Sequence, residues 1–266
     1  MADQANTAPG QANDELASTT DAASQPDAPP RLRVLAGKRA GRSHRQRGDP
    51  CQDSFAVDVD PAGGRAVAAV ADGLGSRPLS HLGSQAACDA AVASLRAEPA
   101  WDRAAMLRAF EAAAIAVRDA AARHGLGADD LATTLQVAAV SGGRVLAAMV
   151  GDGAIVGGDP VAVAVAPPQS GYANEVFPLT QPGWREHLQV AEQEFAGPVL
   201  LFTDGLTRLL LARSRAGWTP FAPFFASFLP RLPRGGDGFV QAFLDGDQVD
   251  QSWDDDKCLV VIHRAA

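Results

Sequence analysis

The chain has 266 residues, of which 47% are hydrophobic, and it carries a formal net charge of −8. Residues 1–30 contain five acidic residues and no lysine or arginine, so the remainder carries only about −3, which argues against a general nucleic-acid binder because phosphate contacts require clustered cations. The three widely spaced cysteines and the lack of any long apolar run argue against a disulfide framework and a membrane span, and we expect a cytoplasmic protein.

The N-terminal segment differs in composition from the rest of the chain. Residues 1–30 are rich in Ala, Asp, Gln, Ser, Thr and Pro and have no large aliphatic residue except Leu16. Such a segment cannot bury enough apolar surface to offset the entropy of ordering, so we predict a disordered acidic tail. No later stretch resembles a linker, and residues 31–266 are therefore predicted to form one domain.

The first half of the predicted domain contains strands followed by two helices. A strand at residues 33–36 precedes the basic segment GKRAGRSHRQRGDP, for which a solvated loop is one interpretation. SFAVDVD and residues 66–71 predict a hairpin around the turn DPAGG. Residues 80–96 predict an alanine-rich helix, and Asp102 is expected to cap a second helix with apolar residues on one face.

The second half contains short apolar runs rich in valine. TTLQVAAVSGGRVLAAMVGDG predicts a hairpin around Ser-Gly-Gly. Further predicted elements are strands at 154–156, 161–165, 199–203 and 259–263 and helices at 221–229 and 238–244. Strand pairs, then helix pairs, then strands favour an α+β fold over a wound parallel sheet.

Three apolar runs end in Asp-Gly, at Asp72, Asp152 and Asp204, and three aspartates at 254–256 precede the last predicted strand. A buried carboxylate is unfavourable unless it is paired or binds a metal ion. Glycine has no Cβ, so its backbone can approach an ion closely, and oxygen ligands favour Mg²⁺ or Mn²⁺. The alternative is that Asp-Gly serves only as a common turn dipeptide.

The order of these motifs resembles that of the metal-dependent protein phosphatases of the protein phosphatase 2C (PPM) type, bacterial subgroup. The similarity extends over nearly all of the chain after the tail. The segments that carry it are GRSHRQRGDPCQDSFAV, VADGLGSRPLSHLGSQAA, LATTLQVAAV, MVGDG, GYANEVFPLT, LLFTDGL and DDKCLVVI. The resemblance implies a four-layer α-β-β-α sandwich, in which two antiparallel sheets are flanked by helix pairs.

The resemblance also implies a site with two divalent cations, Mn²⁺ or Mg²⁺. Asp72 would bridge the two ions and Gly73 would offer its carbonyl oxygen. Asp204 and Asp255 would bind one ion, and Asp53 would lie in the shell of the other. Two such ions can activate a shared water for in-line attack on a phosphate ester, without a covalent enzyme intermediate.

Asp152 matches the family's aspartate for a third, weaker metal ion, although a role as a turn residue at the hairpin end is an equal alternative. The implied function is hydrolysis of phosphoserine or phosphothreonine in a protein substrate, opposing a bacterial serine/threonine kinase. No nucleic-acid or membrane partner is expected.

Three residues depart from the family pattern. Arg47 is the expected phosphate ligand, but many members have this arginine one residue later, where Gly48 lies. Gln52 replaces a common glutamate, and Leu74 replaces a histidine that is a proposed general acid in some relatives. These departures keep a second hypothesis open, that the chain is a catalytically degenerate regulatory or binding module with the same fold.

Overall fold

Within the computed structural model, residues 31–77, 79–168 and 176–265 are described. The predicted tail at residues 1–30 and the first half of the GYANEVFPLT segment lie outside this part. No helix in the described part is sufficiently long and apolar to cross a lipid bilayer.

Within the described residues the chain forms twelve strands and seven α-helices. The strands are β1 (Leu32–Arg39), β2 (Ser54–Val59), β3 (Arg65–Ala71), β4 (Leu135–Ser141), β5 (Arg144–Val150), β6 (Ala154–Gly157), β7 (Ala162–Val165), β8 (Gln189–Glu194), β9 (Val199–Phe202), β10 (Leu211–Ser214), β11 (Gly217–Pro220) and β12 (Lys257–Arg264). The helices are α1 (Arg42–Arg47), α2 (Ser80–Ala97), α3 (Arg103–Arg123), α4 (Thr207–Leu210), α5 (Ala222–Phe228), α6 (Phe239–Leu244) and α7 (Asp247–Ser252).

Ten of the strands form two five-stranded antiparallel sheets. The first sheet has the order β2-β3-β4-β5-β8, and the second has the order β1-β12-β9-β6-β7. The remaining two strands, β10 and β11, form a separate hairpin. The predicted α+β class and the two antiparallel sheets are confirmed.

Three apolar cores separate four layers. Along β3, even-numbered residues pack between the two sheets, whereas odd-numbered residues pack beneath α2 and α3. The same alternation along β12 divides its residues between the central core and a core beneath α5 and α6. This period of two is what a strand buried on both faces requires, and it produces the helix-sheet-sheet-helix arrangement.

The two long helices follow the predicted pattern. Met106, Phe110, Ala113 and Val117 are all buried on one face of α3. The side chain of Asp102 accepts a hydrogen bond from the Ala105 backbone N–H at 2.7 Å, as an N-cap residue should. In the hairpin between β4 and β5, Gly142 and Gly143 both have positive φ, which explains the two glycines at that turn.

The elements additional to those predicted are three short helices, α1, α4 and α7, together with strand β8 and the β10–β11 hairpin. The loop interpretation of the basic segment is wrong in part, because its beginning extends β1 and its middle forms α1. Strand β8 reads QVAEQE and, within the described residues, lies at the edge of its sheet and pairs with β5 alone, so it has few apolar residues to identify it.

We expect Asp102→Ala to lower the free energy of unfolding by about 1 kcal/mol, because the cap at the start of α3 is lost. Asp102→Asn should retain most of the stability, since its side-chain oxygen can accept the same hydrogen bond. Urea denaturation followed by circular dichroism measures both, and equal midpoints for the alanine and wild-type proteins would contradict the capping role.

Candidate functional site

The strand registers bring five predicted site residues to one end of the sandwich. Ser54 pairs with Ala71, so Asp53 and Asp72 lie side by side just beyond the ends of β2 and β3. In the other sheet, Phe202 pairs with both Ala154 and Leu259. That register sets the segments carrying Asp152, Asp204 and Asp255 around the end of β9.

The charges of these aspartates act on one another. Burial raises the pKa of Asp72 well above its usual value, and the neighbouring charges of Asp53, Asp204, Asp152 and Asp255 raise it further. A set of like charges that perturb one another in this way is a frequent mark of a functional site.

The pKa values of Asp204 and Asp152 are raised as well. Burial raises the pKa of Asp204 to about 7, with further contributions from Asp152 and Asp255, while a hydrogen bond with the Asp72 side chain acts in the opposite direction. Burial also raises the pKa of Asp152 to about 6. Near neutral pH this group of carboxyls therefore holds protons that isolated aspartates would have lost, and a bound cation could replace those protons.

Asp53 is the most deeply buried of the five, with an exposed fraction of 1%. Its Oδ2 accepts a hydrogen bond from the Thr203 hydroxyl at 2.7 Å, whereas its Oδ1 is buried and has no hydrogen-bond partner. Burial raises the pKa of Asp53 well above its usual value. Lys38 donates to the backbone carbonyl of Asp53 at 2.8 Å and so holds the chain at this point.

Two adjacent threonines fix the backbone of Asp72. The Asp72 N–H donates to the Thr134 hydroxyl at 2.9 Å, and the Asp72 carbonyl accepts hydrogen bonds from the Thr133 hydroxyl at 2.9 Å and the Thr134 N–H at 2.8 Å. The paired threonines before β4 therefore hold Asp72 at the end of β3. Asp72 is half-buried, and its carboxyl belongs to a cluster of interacting carboxyls, termed the acidic group, that consists of Asp53, Asp72, Asp152, Asp204 and Asp255.

Asp72, Asp152 and Asp204 are each followed by a glycine that allows another segment to pack closely against the backbone. A Cβ on Gly73 would come within 2.8 Å of the Ser80 backbone at the start of α2. A Cβ on Gly205 would overlap the Asp256 carbonyl oxygen, and one on Gly153 would overlap the side-chain amide of Gln136. None of the three has the positive φ typical of Asp-Gly hairpin turns. Close packing, rather than turn geometry, therefore explains these glycines.

The three consecutive aspartates before β12 have different environments. Asp254 accepts a hydrogen bond from the Ser43 N–H at 3.0 Å, and Asp255 is the exposed member of the acidic group. Asp256 is buried and contacts the N-terminal segment of the domain. It accepts hydrogen bonds from the N–H groups of Gly41 and Gln52, both at 2.6 Å, and its Oδ1 lies 2.8 Å from His44 Nδ1.

Asp256 therefore ties the segment before Asp53 to the segment that carries Asp255. The sequence predicts no role for Asp256 or His44, because nothing local distinguishes one member of an acidic triplet from the next. Buried Lys257 completes this anchor, since its Nζ donates to the backbone carbonyls of Trp253 at 2.6 Å and Asp255 at 2.8 Å.

The three departures from the family pattern have distinct positions. Gln52 is buried and its Oε1 has no hydrogen-bond partner. Arg47 lies at the end of α1, half of its side chain is exposed, and its Nε donates to Asp49 at 2.6 Å. Leu74 is half-buried and its N–H donates to the Ala132 carbonyl at 2.9 Å.

The donor set of this site suits a hard divalent cation. Among the described residues, buried Asp53 Oδ1 and Asp152 Oδ1 have no hydrogen-bond partner, and both belong to carboxyls of raised pKa. No three acidic, histidine or cysteine side chains among the described residues already form a metal-binding group. Mg²⁺ binds through one or two carboxylates and keeps several waters, so it does not require such a group.

In protein freed of divalent cations by chelation, we expect thermal stability to fall between pH 5.5 and pH 8. The raised pKa values of Asp204 and Asp152, about 7 and about 6, mean that the folded state binds protons that the unfolded state has released. Stability is therefore lost as pH rises through these values. Melting temperatures measured across this range test the prediction.

Asp204→Asn should flatten this pH dependence, whereas Asp119→Asn on the exposed side of α3 should not. Burial lowers the pKa of His263, so its titration makes stability rise with pH. Because His263 is present in the wild type and in both variants, its contribution cancels when their pH dependences are compared. Equal slopes for wild type and Asp204→Asn would contradict the prediction.

We expect Asp256→Asn to lower the free energy of unfolding by about 1 to 3 kcal/mol, because one amide oxygen cannot replace two carboxylate oxygens and buried N–H groups lose their acceptor. Asp254→Asn makes the same substitution at an exposed neighbouring aspartate and should lower the free energy of unfolding less. Urea denaturation measures the free energy of unfolding of both variants, and equal losses would contradict the anchoring role of Asp256.

Comparisons with known proteins identify the family and the fold of the chain. The Protein phosphatase 2C family model matches residues 40–246. No curated protein sequence matches the chain. Among solved structures, the serine/threonine phosphatase Stp1 from Staphylococcus aureus is 15% identical with a TM-score of 0.59, and the match covers 88% of this chain and 96% of that one.

Two further solved structures show the same fold. PppA, described as a key regulatory component of T6SS in Pseudomonas aeruginosa, is 18% identical with a TM-score of 0.55, over 88% of this chain and 98% of that one. RsbX, solved in complex with magnesium, is 16% identical with a TM-score of 0.54, and the match covers 88% of this chain and 96% of that one. From the family match over most of its length, we conclude that the chain belongs to the protein phosphatase 2C family.

Proposed function

We propose that the protein is a Mn²⁺- or Mg²⁺-dependent serine/threonine phosphoprotein phosphatase that uses two metal ions. The observation that carries the proposal is the group of aspartates at one end of the sandwich, where burial and mutual repulsion raise the pKa values and buried carboxyl oxygens lack partners. Divalent cations would compensate this charge. Membership of the protein phosphatase 2C family supports the reaction class.

The proposed roles follow the positions of the residues. Asp72 would bridge the two ions and the Gly73 carbonyl would face one of them. Asp204 and Asp255 would hold one ion, and Asp53 would lie in the shell of the other. Asp152, with its unpartnered Oδ1, is the proposed ligand of a third and weaker ion. The protein phosphatase domain is proposed to span residues 31–266.

When bound, the two ions would supply an activated water and neutralise charge on the phosphate. The chain's own contribution is to fix the carboxylates: Thr133 and Thr134 hold Asp72, and Thr203 holds Asp53. Arg47 is the proposed phosphate ligand and would exchange its ion pair with Asp49 for the phosphate. With Leu74 in place of a general acid, protonation of the leaving group falls to water.

The proposed substrate is a phosphorylated protein, modified by a bacterial serine/threonine kinase, in the cytoplasm. Cys51, Cys88 and Cys258 are free thiols, which accords with a reducing compartment. PppA is described as a regulatory component of a secretion system, and a comparable regulatory role for this chain is part of the same proposal.

A second candidate function is a regulatory or binding module with a degenerate metal site. Gln52 favours it, because its neutral side chain takes the place of a negative charge beside Asp53, and the ion pair of Arg47 with Asp49 favours it as well. Calorimetry separates the two candidates: binding of two Mn²⁺ ions supports the enzyme, whereas binding of a protein partner without any Mn²⁺ supports the module.

We expect the purified protein to hydrolyse an aryl phosphate and a phosphothreonine peptide with Mn²⁺ and to lose this activity with a chelator. Asp72→Asn and Asp204→Asn should each lower kcat/KM by at least about 100-fold, because each removes a proposed metal ligand that stabilises the transition state. Phosphate release measures both effects.

Asp119→Asn is the matched control and should keep wild-type activity. Neither site variant should unfold the chelated protein, since removing a desolvated carboxyl relieves repulsion. Activity that is identical with and without the chelator would reject the metal-dependent enzyme.

A further inference from the structure

An arginine and a tryptophan are stacked beside the acidic group. The guanidinium carbon of Arg208 lies 3.6 Å from the centre of the Trp253 ring. Arg208 is exposed, and Trp253 keeps 39% of its surface accessible. Stacking on an indole restrains a guanidinium while its N–H groups remain free to bind a ligand.

Short segments join this stack to two proposed metal ligands. Arg208 belongs to α4, which begins directly after the 3₁₀ turn Asp204–Leu206. Trp253 directly follows α7 and lies two residues before Asp255, and Lys257 donates to the backbone carbonyls of Trp253 and Asp255. The stack therefore has a fixed position at the rim of the acidic group.

Three other arginines, which contact α7 or the segments on either side of it, have acidic partners. Arg39 pairs with Asp245 and Asp250, and Arg45 pairs with Asp250 at 2.8 Å. Arg42 lies 3.7 Å from Asp254. Arg208 has no carboxylate partner among the described residues, so its charge is available to a ligand, whereas the charges of Arg39, Arg42 and Arg45 are compensated.

We propose that the Arg208–Trp253 stack binds an acidic side chain that flanks the phosphorylated residue of a protein substrate, and so sets substrate preference. This inference rests on the proposed phosphatase function. The planar guanidinium can accept a carboxylate in a bidentate manner, while the exposed indole supports the neighbouring peptide. The phosphate that is hydrolysed would bind to the metal ions and Arg47, as proposed above.

The test uses pairs of phosphothreonine peptides in which each flanking position in turn carries Glu or Gln. For the wild-type protein with Mn²⁺, kcat/KM should favour the Glu peptide by about fivefold at one or more positions, the size expected for an exposed ion pair at low salt. The preference should decline as salt is added.

Variants of the stack should change the ratio of kcat/KM for the Glu peptide to kcat/KM for the Gln peptide, termed the Glu-to-Gln ratio. Arg208→Ala should bring it close to one, and Arg208→Glu should invert it. Trp253→Ala should reduce it, whereas Trp253→Phe should keep most of it because an aromatic face remains. Arg65→Ala is the matched control, since Arg65 also stacks on a tryptophan, Trp101, but lies at the other end of β3, about 23 Å from Asp72.

Two readouts distinguish failure of this inference from failure of the proposed function. If the wild type hydrolyses aryl phosphate but the peptide ratio is one, or is unchanged by Arg208→Ala, the inference is wrong. If there is no turnover at all, the proposed function is wrong, and equilibrium binding of non-hydrolysable phosphonate peptide pairs decides the inference. Tighter binding of the Glu peptide that disappears in Arg208→Ala supports it, and equal binding overturns it.

Discussion

The repulsion among carboxylates gathered at one end of the two sheets is the constraint on which the site depends. Asp53, Asp72, Asp152, Asp204 and Asp255 act on one another's protonation, and burial adds to the effect of like charge. Such a group is stable only when protons or cations compensate it. The same physical requirement links the raised pKa values, the hydrogen bond between Asp72 and Asp204, and the proposed need for divalent cations.

Rigid neighbours keep these carboxylates together despite their repulsion. Strand register places Asp53 beside Asp72, and close packing at Gly73 and Gly205 brings adjoining segments against the site. Asp256 joins the N-terminal segment to the start of β12 through buried hydrogen bonds. Much of the surrounding structure therefore positions the aspartates without taking part in the proposed chemistry.

The rim of the site has a different charge balance from its centre. Paired arginines compensate the acidic residues of α7 and the loop after it, whereas Arg208 keeps an unpaired guanidinium on an exposed tryptophan. A negative centre that is proposed to bind cations, beside the uncompensated charge of Arg208, would suit a substrate that carries a phosphate and a further acidic group. Gln52, which lacks the charge of a glutamate, lessens the repulsion around Asp53 and would also lessen its attraction for a metal ion.

The sequence by itself determined the elements with strong local signals: the alternating strands β3, β4, β5 and β12, the capped helix α3, and the three aspartates at the ends of apolar runs. It also indicated the family, because those motifs occur in a characteristic order. Only the tertiary structure decided that Asp256 is an anchor, that Asp-Gly serves close packing, and that the basic segment folds against α7. The anchor and the packing of the basic segment depend on contacts between residues far apart in the chain, and a local pattern carries no information about a partner 200 or more positions away, as between Gln52 and Asp256.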